Sequence, residues 1–101
     1  MARSSHRYDN HMRKLSDIFK AVEKAGYSEA DIISKNRKQP LALVRQVAVW
    51  LARDGRTYAE LGVIFKRNHS ACLHSVRQVE GRLSYNDLEV TKMMEKMEVA
   101  Q

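Results

Sequence analysis

Between Lys66 and Glu80 the chain reads K-R-N-H-S-A-C-L-H-S-V-R-Q-V-E, which gathers two cations, an Asn-His-Ser cluster, a thiol and a second histidine. Three chemistries could use such a set. A metal needs converging ligands, but His69 and His74 stand five residues apart, about 140° around a helix, so they diverge. Nucleophilic catalysis would pair His69 with Cys72. However, Cys72, Val76, Val79 and Leu83 recur at the spacing of one apolar helix face, and a thiol buried there is inert. The carboxylates do not cluster as a two-metal nuclease would require. The third chemistry is hydrogen bonding. A helix capped by Asn68, with donors and acceptors on its first turn and an apolar back, is how a helix-turn-helix presents its reader to DNA. An ordinary core helix with a polar cap has the same pattern, so the flanking chain must decide.

The bulk properties narrow the choice. The chain has 101 residues, enough for one domain, and a net charge of +6. A pI near 9.7 favours an anionic partner such as nucleic acid, an acidic membrane surface or an acidic protein. Cys72 is the single cysteine, so no internal disulfide forms and a reducing, cytoplasmic setting is expected. No run reaches the roughly 20 apolar residues of a membrane span, and the N-terminus has no secretory signal. Residues 1–12 are expected to form a flexible basic tail, and residues 13–101 a single domain.

The elements that would position the Asn68 cluster are all helical. Leu15, Ile18, Phe19 and Val22 mark a helix over 13–25, closed by Gly26. Ser28 to Asp31 forms a capping box ahead of a short helix carrying Ile32 and Ile33 inward. Residues 34–40, S-K-N-R-K-Q-P, form a basic loop, and Pro40 suits the first turn of the next helix. That helix, 41–54, carries Leu41, Val44, Ala48 and Leu51 on one face, widened by Val47 and Trp50, with Arg45, Gln46 and Arg53 off it. A three-residue link beginning at Gly55 leads to the capping box Thr57 to Glu60. The helix that follows buries Leu61, Ile64 and Phe65. A short glycine turn of this kind is the signature of a helix-turn-helix pair. Asn86 to Glu89 reads as a third capping box with Asn86 as cap. The last helix carries Leu88, Met93, Met94 and Met97, most simply as flexible core filler. The expected fold is all-α, a bundle of about six helices.

Charge distribution points the same way. No acid lies between Asp31 and Asp54, where Lys35, Arg37, Lys38, Arg45 and Arg53 are positive. None lies between Glu60 and Glu80, where Lys66, Arg67 and Arg77 are positive. Residues 80–101 are net negative. A duplex carrying one charge about every 1.7 Å complements such a surface. The rival class is a helical interaction module using the Met-rich last helix against a protein.

Three blocks then resemble a known family, the C-terminal DNA-binding domain of the bacterial chromosomal replication initiator DnaA. They are D-I-I-S-K-N-R-K at 31–38, V-R-Q-V-A-V-W-L-A-R at 44–53, and E-L-G-V-I-F at 60–65 followed by R-N-H-S-A-C-L-H-S at 67–75. The last is similar to the signature E-I-G-x-x-F-G-G-R-D-H-T-T-V-L-H-A. The resemblance implies a monomer that binds a short box in double-stranded DNA, without membrane, nucleotide or cofactor, in regulation of replication initiation or of transcription. It places Arg37 in the minor groove, with Lys35 and Lys38 beside it on the basic loop. Arg45 and Gln46 match phosphate-contacting positions, and Tyr58 and Ala59 match helix-start contacts to the backbone. Asn68, His69 and Ser70 match major-groove readers, behind the cations Lys66 and Arg67. Ala71 stands where the family has a second threonine. The chain departs from the signature in having Asn68 for aspartate, Ser70-Ala71 for two threonines, and one turn glycine fewer, with Lys66 in the region of the other. No G-x-x-x-x-G-K-[ST] loop is present. Such a domain could therefore occupy boxes in competition with the initiator, repress, or recruit a protein partner.

Overall fold

The computed structural model describes residues 13–99, so the expected tail at 1–12 lies outside the described residues. Six helices follow in order: α1 Leu15–Lys24, α2 Glu29–Ile33, α3 Leu41–Ala52, α4 Tyr58–Phe65, α5 His69–Ser84 and α6 Leu88–Lys96. No strand occurs among the described residues.

Helix α3 is the axis of the fold and packs against each of the other five helices. The one-sided stripe expected of it is too narrow. Ten of its twelve residues are buried, including Leu43, Val49 and Ala52. A helix that is apolar nearly all round must be enclosed on every side. The core closes with Ile18 and Val22 from α1, Ile32 from α2, Leu61 and Phe65 from α4, Cys72, Val76 and Val79 from α5, and Val90, Met93 and Met94 from α6. Met97, just past α6, completes it. The rings of Phe19 and Phe65 meet at 6.0 Å. Ile33, Ile64 and Leu83 are half-buried at its edge.

The local signals explain most of the boundaries. Gly26 closes α1 at φ 96°. Ser28–Asp31 and Thr57–Glu60 both form reciprocal capping boxes. Pro40 stands at the N-cap of α3 rather than inside it. The third box is misplaced by one residue. Asp87, not Asn86, caps α6 by accepting from the Val90 N–H at 3.1 Å. Asn86 sits at φ 58°, in the left-handed region that asparagine tolerates, where it ends α5. That shift turns Leu88 outward, 70% exposed, and gives its expected core place to Val90. The methionines are core filler: Met93, Met94 and Met97 are at most 6% exposed.

Candidate nucleic-acid interface

The site is built around the short α2. A helix end leaves its last carbonyls without intrahelical donors, and here two arginines distant in sequence supply them. Arg45 on α3 donates through Nε to the Ile32 carbonyl at 2.7 Å, and through Nη2 to those of Asp31 at 3.2 Å and Ser34 at 3.1 Å. Arg67, in the link between α4 and α5, donates to the carbonyls of Ile33 at 3.5 Å, Phe65 at 3.3 Å and Ser34. Arg45 therefore does not lie off the apolar face as an exposed cation. It is 7% exposed and pinned to the end of α2. Burial first, then the neighbouring charges of Arg67 and Arg37, lower its pKa.

The same bracket carries the basic loop. Ser34 Oγ donates to the Asp31 carbonyl at 2.6 Å, and Asn36 Oδ1 accepts from the Lys38 N–H at 2.9 Å. Such short-range turns set the backbone without using the cations, so Lys35, Arg37 and Lys38 stay exposed.

Across from the loop stands the start of α5. Lys66 ends α4 in a left-handed conformation, φ 55° and ψ 48°. Asn68 caps α5, its Oδ1 accepting from the Ala71 N–H at 2.8 Å. His69 and Ser70 are exposed on the first turn and Ala71 is half-buried. Gly62 makes this turn possible. Its carbonyl accepts the N–H groups of Lys66 and Arg67, and a Cβ placed on it would lie 2.5 Å from the Arg67 carbonyl oxygen.

Loop and turn enclose one open cleft of about 280 Å³, lined by Lys35, Arg37, Arg45, Lys66, Arg67, Asn68 and Ala71. Five of these seven are cationic and none is acidic. The structure thus brings seven of the twelve candidate residues, Arg45 among them, into one concavity. Lys38 lies further along the loop, while Gln46 is half-buried on α3 and Tyr58 exposed at the start of α4. Two groups escaped the sequence reading. Ser34, Asn36 and Gly62 shape the site through backbone contacts that composition does not reveal. His74 and Arg77, exposed one and two turns beyond Ser70, extend its face of α5. Their i, i+4, i+7 spacing was the available signal.

The cleft, the acid-free loop and the capped α5 define a helix-turn-helix DNA-binding domain. The described helices include none long and apolar enough to cross a membrane. The family model for the bacterial DnaA protein helix-turn-helix matches residues 15–79, and the chain belongs to that family. Among curated proteins, the chromosomal replication initiator DnaA of Caulobacter vibrioides is 39% identical over 70 residues, covering 65% of this chain and 14% of its own length. That of Dechloromonas aromatica is 31% identical over 84 residues, 79% of this chain and 17% of its own. That of Pseudothermotoga lettingae is 26% identical over 88 residues, 85% and 18%. The chain thus spans less than a fifth of the length of these relatives. No solved structure matches it with comparable significance.

Proposed function

We propose that residues 13–101 act as one monomeric domain that reads a DnaA-box-like site in duplex DNA, within the cytoplasm and at the nucleoid, and so regulates replication initiation or transcription. In this reading the first turn of α5 enters the major groove with Asn68, His69 and Ser70, and Arg37 reaches the adjacent minor groove. Lys35, Lys38, Lys66, Gln46 and the start of α4 at Tyr58 lie along phosphates. Arg45 and Arg67 serve chiefly to hold the loop against the reader helix. Their like charges, crowded around one cleft, are relieved by a bound anion.

The carrying observation is a carboxylate-free cleft in which the loop cations Lys35 and Arg37 converge with the α5 start. A duplex of random sequence should bind, with affinity falling about a thousandfold between 50 and 200 mM salt, as a protein neutralising some six phosphates does. Selection from random duplexes should return one box, and Arg37→Ala should weaken binding to it. Binding indifferent to salt, with no enriched sequence, would exclude the reading. The Met-rich interaction surface has no support of this kind, because its methionines are interior. Competition with a DnaA initiator for the same box is the simplest way such a domain could regulate.

A further inference from the structure

The cap of α5 commits half of a reading side chain. The acceptor from Asn68 to the Ala71 N–H, at 2.8 Å, must be the amide oxygen, because a backbone N–H donates only to an acceptor. The orientation of the amide is therefore chemically settled. Oδ1 faces the helix, and among the described residues no hydrogen bond involves Nδ2. Asparagine usually recognises adenine with both ends at once, donating to N7 and accepting from N6. A capping asparagine holds that accepting oxygen against its own helix, with one of its two lone pairs engaged, and so turns its amino end away from the helix. The end left without a helix partner is the amino group, a pair of N–H donors at the edge of a cleft whose other polar liners, Lys35, Arg37, Arg45, Lys66 and Arg67, are cations.

We propose that Asn68 is a specificity-determining residue of donor type, which selects guanine at one position of the bound site. The inference rests on the proposed duplex-binding mode. Guanine presents two adjacent major-groove acceptors, O6 and N7, and is the base that donor-only side chains such as lysine contact. Adenine places an N6 donor where O6 would be, and cytosine presents only a donor. An aspartate at this position keeps a second oxygen after capping and so accepts from the cytosine amino group. Asn68 therefore reverses the polarity of the reader, and this chain's box differs at that position from one read by aspartate.

The test is selection from random duplexes with the full chain and with Asn68→Asp and Asn68→Ser. Both substitutes are good N-caps, so α5 stays capped. The wild-type site should hold guanine at one position of its oriented consensus. Asn68→Asp should shift that position alone to cytosine, with preference ratios moving about tenfold. Asn68→Ser should flatten it. Placing 7-deazaguanine there, which removes N7 but keeps base pairing, should weaken wild-type binding severalfold and leave Asn68→Asp unchanged. An identical consensus for all three proteins overturns the inference while leaving duplex reading intact. So does a wild-type position that prefers adenine or cytosine and responds to Asn68→Asp. If none of the three enriches any sequence, the duplex-binding mode itself fails, and the inference with it.

Discussion

The two turns flanking α4 meet the same demand, a sharp reversal between packed helices, with opposite residues. The α3–α4 turn uses Gly55 at φ 79°, which carries no steric cost, and then hands over to the Thr57–Glu60 capping box. The α4–α5 turn places Lys66 in the left-handed region, which costs a side-chain-bearing residue about 1 kcal/mol. Glycine is instead found four residues earlier, at Gly62, where the returning Arg67 carbonyl leaves no room for a Cβ. The first turn only reverses the chain. The second also presents a cation, fixes Arg67 on the end of α2 and starts α5 at Asn68. Asn86 and Glu98 share this left-handed conformation, but of the three only Lys66 lines the cleft.

The largest test of this contrast is Gly62→Ala. The added methyl meets backbone rather than a yielding side chain. It should therefore cost about 3 kcal/mol, the upper range for overpacking, seen as a lowered urea midpoint. Gly81→Ala is the control. Its Cβ would meet open space on an exposed helix, and it should gain about 0.5–1 kcal/mol. Equal midpoints for the two would mean that the α4–α5 turn yields freely.

Next comes Arg45→Met, which leaves the Ile32 and Asp31 carbonyls without their α3 donor. It should cost about 2 kcal/mol in the same unfolding measurement. If Arg45 were mainly a phosphate contact, duplex affinity would fall while the midpoint stayed put.

Lys66→Gly should separate strain from binding. Stability should rise by about 1 kcal/mol as the left-handed residue is relieved, while the slope of log affinity on log salt falls by about one. A variant both more stable and equally tight would remove Lys66 from the interface.

The smallest effect concerns the covered side of α5. Burial raises the pKa of the Cys72 thiol, and the opposing pull of Arg67 does not cancel this. The folded thiol should thus resist alkylation at pH 8. Because the folded pKa is the higher one, stability holds below the ordinary thiol pKa of about 8.5 and falls as pH rises past it, where only the unfolded chain ionises. That increment should vanish in Cys72→Ala, and alkylation at the unfolded rate would mean that α5 lifts from the core.

Much of this was legible in the chain because it is local. Helix periodicity, the boxes at Ser28 and Thr57, the left-handed Gly26 and the Asn68 cap all depend on residues within a few positions of one another. The third cap failed by one residue because Asn86 and Asp87 both suit the role, and only the end of α5 decides which is left-handed. Arg45 was misjudged for a different reason. Its helix neighbours show an apolar face, but the carbonyls that hold it belong to α2 and its C-cap Ser34, 11 to 14 residues away.

By itself the sequence determined six helices, the caps of α2, α4 and α5, the acid-free basic segments and the polar start of α5, since propensity, spacing and charge are properties of short stretches. Only the tertiary structure decided which cations are free and which are fasteners. Arg37 and Arg67 look alike as residues, but the free carbonyls at the end of α2 lie within reach of Arg67, and an arginine that satisfies them is held in place.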